Sequence, residues 1–355
     1  MKPFYIVLCL IWSGMVAGHA ADLSTNDAIA YAIDWPKNTP AITIPLEFRG
    51  GIPFVTCQLN GKTARLMVDT GVSTIFLYES RLNDLGLQVT GKHHREIRSV
   101  TDSIPDINYS SKFTLEFAGG LRVKVSAALC LPESSQQFAS DVDGFLDLLL
   151  LQFLNATIDY GRETITFTIK KPSRQLGGLP TSSAAAQSLP DDLSTKDGFV
   201  VSVADWPLAA PSITIPLHFR DKLLPFVTGK INGRTVRLMV DTGQSLVALY
   251  ENRLNDLGLK VIGKLHGNGR SATGAIPEPN CSSKFTLKFE DSLQIQMPTA
   301  ECLPESFMLL GSDVDGYLGG ELLRILNGVI DLGSGTITFP RPKRVDKGDP
   351  TAASH

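Results

Sequence analysis

Cysteine is scarce, with five residues in 355, and no two of them have the Cys-x-x-Cys spacing of a zinc or redox site. There is no glycine-rich phosphate loop. The net charge of −3 argues against a general nucleic-acid binder. Past the first dozen residues no apolar run is long enough to cross a bilayer. Histidines number only six. His93 and His94 would point to opposite faces of a strand, so a shared metal is not expected. His218 and His266 stand alone as surface or packing residues. No cofactor is called for.

What is present begins with a short targeting signal. Lys2 precedes an apolar core from Phe4 to Trp12, and small residues follow through Gly18-His19-Ala20. Residues 1–21 therefore read as a cleavable signal peptide, with Cys9 inside its core and cleavage after Ala20 or Ala21. The expected location is periplasmic or secreted, where disulfides persist. Cys281 and Cys302 flank an expected hairpin, Lys284 to Leu287 against Leu293 to Met297. They are expected opposite one another, joined by a cross-strand disulfide. The same centring about Gly119-Gly120 puts Tyr109 opposite Cys130. That leaves Cys130 either free or bonded to Cys57.

The main signal is internal repetition. Arg65-Leu66-Met67-Val68-Asp69-Thr70-Gly71 returns 172 residues later as Arg237-Leu238-Met239-Val240-Asp241-Thr242-Gly243. Between Asn60–Val89 and Asn232–Val261, 22 of 30 positions are identical. Leu131-Pro132-Glu133-Ser134 and Asp141-Val142-Asp143-Gly144 recur on the same offset. The chain divides into a first lobe at 22–170, an exposed linker at 171–193, a second lobe at 194–341 and a disordered tail at 342–355.

Within a copy the pattern is β. Ala41 to Phe48 alternates as a strand. Phe54 to Leu59 and Thr63 to Val68 form a hairpin about Asn60-Gly61. Thr74 to Leu77 is another strand. Glu79 to Leu85, closed by Gly86, fits a short helix. Phe113 to Phe117 pairs with Leu121 to Ala127. Phe145 to Leu154 reads as helix, and Thr157 to Phe167 as a last strand pair. The sum is an all-β fold of two tandem closed lobes.

An apolar strand ending in Asp-Thr-Gly, with Ser one residue on, resembles the retropepsin-like branch of the aspartic proteases. Leu85-Gly86-Leu87 and Leu257-Gly258-Leu259 match the close of the helix that follows. Asp315-Gly316-Tyr317-Leu318-Gly319-Gly320 is similar to the turn that packs beneath the family's catalytic loop. The resemblance implies two acid-protease β-barrel lobes on a pseudo-twofold axis, with Asp69 and Asp241 as the catalytic pair. It also implies that Thr70 and Thr242 bond across the lobes. Gly71 and Gly243 would admit backbone N–H groups to the carboxylates, and Ser73 and Ser245 would support them. Two carboxylates about 3 Å apart cannot both ionise, so they share a proton. The ionised member activates water and the protonated one polarises the peptide carbonyl. A cleft between the lobes would take an extended peptide or unfolded protein by strand-like pairing.

The copies depart from the family pattern unevenly. Asp147 stands where the second copy has Gly319, tolerable if its side chain points to solvent. Val72 and Gln244 follow the Asp-Thr-Gly turns, where a small or hydroxyl residue is usual. The second copy has a candidate flap turn at Gly267 and Gly269; the first has no glycine from Lys92 to Ala118. A single working flap would make the protein asymmetric, and loss of both would suggest a binding protein. Two functions follow: an aspartic endopeptidase, or an inactive peptide- or protein-binding module on the same scaffold. The lobes would pair within one chain, or across two chains in a homodimer.

Overall fold

The structure is a computed structural model that describes residues 10–11, 29–93, 97–99, 103–104, 107–132, 141–169, 192–194, 200–206, 210–220, 224–265, 269–270, 275–276, 278–290, 293–307 and 313–341. The expected signal-peptide cleavage site, most of the linker and the tail lie outside these residues. Asp192–Ser194 pairs with Val200–Asp205, so the second lobe's sheet begins two residues before the expected boundary.

Each lobe is built on the hairpin that the sequence marks. Ile52–Leu59 pairs with Lys62–Asp69, and Leu224–Ile231 with Arg234–Asp241. Both turns are Asn-Gly with positive φ, Asn60 at 49° and Gly61 at 79°, Asn232 at 49° and Gly233 at 84°. That geometry matches the twist of the flanking strands. The strands run apolar and buried toward their aspartate ends and extend into one curled sheet of eleven strands and one of twelve. In both, the aspartate-bearing strand lies beside a short parallel one: Gly144–Asp147 in the first lobe, Gly316–Gly319 in the second.

A third sheet holds the lobes together. Ala41–Pro45, Thr164–Thr168 and Thr157–Asp159 from the first lobe join Val329–Asp331, Thr336–Pro340 and Ser212–Pro216 from the second. At the junction Ile158 faces Ile330. Tyr160 N donates to Gly328 O and Leu332 N to Ala156 O, both at 3.0 Å. These two bonds exchange under the 172-residue offset, so the repeat in sequence becomes a pseudo-twofold axis in space. Ile158, Ile165, Ile330 and Ile337 bury the sheet's inner face in the common core.

Several elements differ from expectation. Gly144–Asp147 is a strand, and only Leu148–Phe153 is helical. The parallel ladder to the aspartate strand outweighs the helical reading of that apolar run. The helix expected at Glu79 to Leu85 shrinks to a 3-10 turn, Glu79–Arg81; a Schellman-type bond from Leu87 N to Leu82 O closes the segment about Gly86, at φ 71°.

The disulfide expectation is overturned. Phe285 pairs with Met297 and Phe289 with Leu293, which sets Cys281 opposite Glu301 and Cys302 opposite Asn280. In the first lobe Tyr109 lies opposite Leu129, and Cys130 opposite Asn108. A one-residue slip sends a side chain to the other face, so Cys281 and Cys302 point apart. Cys57, Cys130, Cys281 and Cys302 are all free thiols.

Both lobes form a short hairpin at the place of the flap candidate. In the first lobe Ile97–Ser99 pairs with Ser103–Ile104; in the second, Gly269–Arg270 pairs with Ala275–Ile276. The two hairpins match residue for residue on the 172 offset, so glycine is not needed for the hairpin's strands. Gly269 lies in a strand of its hairpin rather than in the turn, and Gly267 lies outside the described residues. Leu10–Ile11, within the expected signal peptide, pairs with Arg98 and Ser99 of the first hairpin, a strand that cleavage would remove.

Candidate active site

Asp69 and Asp241 end their strands with no exposed surface. Each carboxylate is held by its own turn: Gly71 N donates to Asp69 Oδ1 at 2.7 Å, and Gly243 N to Asp241 Oδ1 at 2.8 Å. Each also packs against the opposite turn. A Cβ on Gly71 would lie 2.6 Å from Asp241 Oδ2, and one on Gly243 2.5 Å from Asp69 Oδ2. Only glycine at both positions lets the two carboxyls come this close to the facing loop.

The threonines lock the turns. Thr70 Oγ1 donates to Val240 O at 2.7 Å and accepts from Thr242 N at 3.0 Å. Thr242 Oγ1 donates to Val68 O at 2.6 Å and accepts from Thr70 N at 3.0 Å. All four groups are buried, so each bond also spares a desolvated polar group from being left unmet.

Electrostatics follow from this packing. Burial, then the Asp241 charge, push the Asp69 carboxyl well above the ordinary carboxylate range. The Gly71 and Val72 N–H groups pull it the other way without prevailing. Among the described residues no hydrogen-bond donor is recorded for Asp69 Oδ2; the Asp241 carboxyl lies against the Asp69 carboxyl. Such a pair can hold one proton between two acids, with one member ready to accept a proton and the other to donate.

Beneath the pair, the two lobes touch backbone to backbone. A Cβ on Gly320 would lie 2.2 Å from Gly51 O and 3.1 Å from the Tyr160 hydroxyl. Tyr160 is buried, and its hydroxyl ionisation is opposed by burial first, then by Asp241, Glu321 and Asp69. Tyr160 and Glu321 carried no sequence signal, since their counterparts on the offset are Leu332 and Leu149.

Two clamps hold the aspartate strands from outside. Asp143 Oδ2 accepts from Arg65 N at 2.8 Å and its Oδ1 from Arg81 Nε at 2.7 Å. Asp315 does the same with Arg237 N at 2.8 Å and Arg253 Nε at 2.6 Å. The recurrence of Asp-Val-Asp-Gly was the available signal for them.

Of the supporting residues, Ser73 is half-buried, while Ser245 is buried and its carbonyl accepts from Glu321 N at 2.8 Å. Asp147 does not point to solvent. It has no exposed surface; Oδ1 caps its helix by accepting from Leu150 N at 3.0 Å, and Oδ2 accepts from the Tyr31 hydroxyl at 2.8 Å. An Asp at an N-cap satisfies a helix N–H that would otherwise be orphaned. That is why a carboxylate can stand where the second lobe has glycine. Burial still raises it to about 6. Gln244 is buried too, and its Nε2 donates to Glu301 Oε2 at 3.0 Å. His93 binds the Tyr109 hydroxyl through Nδ1 at 2.6 Å, and His94 lies outside the described residues.

The sequence profile of a family described as aspartyl protease matches residues 55–144 and 227–322, once in each lobe and over more than half the chain. No curated protein matches the chain. Among solved structures, it is similar to basic 7S globulin from soybean at 11% identity and TM-score 0.46, with 85% of this chain and 95% of that one covered. A basic 7S globulin from lupine seeds, conglutin gamma, matches at 10% identity and TM-score 0.46, covering 86% and 96%. The structure described as edgp matches at 13% identity and TM-score 0.44, covering 86% and 96%.

Proposed function

Because the chain belongs to the aspartyl protease family, we propose that it is an endopeptidase in which Asp69 and Asp241 activate water against a peptide carbonyl. The observation that carries this is the reciprocal packing of each carboxyl on the other lobe's glycine. It concentrates two acids at one buried spot, where mutual repulsion and burial favour a single shared proton. The ionised member takes a proton from water as the oxygen attacks. The protonated member gives its proton to the carbonyl oxygen, forming a gem-diol. Collapse of that intermediate moves a proton to the departing nitrogen and returns the pair to its starting state. The N–H groups of Gly71 and Gly243 steady the inner oxygens throughout.

The substrate is an extended peptide or unfolded protein, and the protein acts as a single-chain pair of lobes in a periplasmic or secreted location. Two observations are compatible with the endopeptidase reading: Asp147 caps its helix, and the first lobe forms a hairpin at the same place as the second.

The test is cleavage of an unfolded protein from pH 3 to 8, wild type beside Asp69→Asn and Asp241→Asn, with folding checked by circular dichroism. The expected result is cleavage by wild type and a loss of at least about a thousandfold in either variant. A folded wild type that binds peptide and cleaves at no pH would leave the binding module.

A further inference from the structure

The two lobes carry the same strands beside their aspartates but not the same chemistry. Side chains alternate along a strand, so Met239 and Asp241 share a face with their parallel partners Tyr317 and Gly319. Tyr317 stands beside Ala248, and Ala248 beside Glu301. The matching positions in the first lobe are Phe145, Phe76 and Leu129. With Val72 they sit in an apolar cluster separate from the main core. In the second lobe Glu301 replaces Leu129, Gln244 replaces Val72, a hydroxyl is added at Tyr317, and the central phenylalanine becomes Ala248. All four changes fall on the face that bears Asp241.

The polar pair is incomplete. Gln244 and Glu301 have no exposed surface and share one hydrogen bond. Gln244 Oε1 and Glu301 Oε1 are both buried with no partner. Gln244 Oε1 accepts hydrogen bonds, and Glu301 Oε1 does so while the carboxyl is ionised, which burial opposes by raising it to about 7; unmet buried acceptors are costly. They lie beside Ala248, where the other lobe has a phenylalanine ring.

We propose that Gln244 and Glu301 form the floor of a polar subsite beside Asp241 that takes a hydrogen-bond-donating side chain of the bound peptide: lysine, arginine or an amide. The matching face of the first lobe takes an apolar side chain. This rests on the reading that an extended peptide lies between the lobes. It makes the chain asymmetric in specificity although its aspartates are symmetric. A site built to hydrogen-bond its ligand rejects an analogue without the donor far more strongly than an apolar pocket rejects a change of size.

The experiment measures binding, so it does not depend on turnover. The full chain carrying Asp69→Asn is titrated by fluorescence anisotropy with peptides that place lysine, glutamine or norleucine at each position in turn. At one position the lysine and glutamine peptides are expected to bind at least about tenfold more tightly than the norleucine peptide. Adding Gln244→Val with Glu301→Leu, the first lobe's own residues, should bring that ratio close to one. Glu301→Gln keeps the volume and removes the carboxylate; the lysine peptide should lose affinity relative to the glutamine peptide, which should still outbind norleucine. Equal binding at every position overturns the proposal, as does discrimination that survives the double substitution or the absence of any peptide binding. If wild type discriminates in this way yet cleaves nothing, the subsite stands and only the endopeptidase reading fails.

Discussion

Thr70 and Thr242 bind each other across the lobe interface, each hydroxyl accepting from the other's backbone N–H at 3.0 Å while donating to a carbonyl one strand away. They lie 172 positions apart in sequence, and neither set of bonds exists in an isolated lobe. The grip therefore ties the stability of lobe pairing to the geometry of the aspartates. The same two turns are fixed a second time by the mutual glycine–carboxyl contacts.

Removing either hydroxyl strands a buried N–H and a buried carbonyl. At about 1–3 kcal/mol for each unmet group, Thr70→Ala or Thr242→Ala should lower stability by roughly 2–6 kcal/mol in urea unfolding. Thr→Ser at the same sites keeps the hydroxyl and should cost less than about 1 kcal/mol. The two hydroxyls make no bond in common, so the double alanine variant strands four groups and should lose about the sum of the singles. A loss well short of that sum would mean that the first substitution already releases the second threonine's grip.

The free thiols give a redox prediction. Cys302, Cys57 and Cys130 are buried, and burial pushes each thiol up to about 12. Such thiols are inert toward alkylating reagents, whereas Cys281 is only half-buried. Mass mapping after brief alkylation of the native protein should find Cys281 modified and the other three untouched. All four should react after denaturation, and dithiothreitol should leave the melting temperature unchanged. A drop of several degrees on reduction would indicate a bridge that this register forbids.

Legibility in the sequence followed the repeat. The duplicated Asp-Thr-Gly and the Asn-Gly turns are legible because the chain states each of them twice. What escaped was whatever appears only once or depends on register. Gln244 and Glu301 are 57 residues apart and meet only through the stacking of the short strands Ala248–Tyr250 and Glu301–Leu303. The position of Cys281 turned on a single residue of hairpin register, which periodicity cannot fix when both faces carry mixed residues. In sequence Asp147 stands out as a misfit, because the lost glycine is visible there and Tyr31, which reaches it from 116 residues away, is not.

Asp147 itself yields a prediction of opposite sign to the usual buried salt bridge. Its carboxyl titrates near 6 in the folded protein against an ordinary value of 3.8. Between those values the folded state holds a proton that the unfolded chain has released. Stability from this group is therefore full below about pH 4 and falls as pH rises toward 6. At about 1.4 kcal/mol for each pH unit between the two values, the loss reaches at most roughly 3 kcal/mol. Asp147→Asn cannot ionise, yet its carbonyl oxygen can still cap Leu150 N. Relative to wild type, the variant should gain stability between pH 4 and pH 7 by up to that amount, read as the change in urea midpoint at the two pH values. Parallel pH profiles for the two proteins would show that Asp147 ionises as easily folded as unfolded, and that its burial against Tyr31 and the helix end costs the protein nothing.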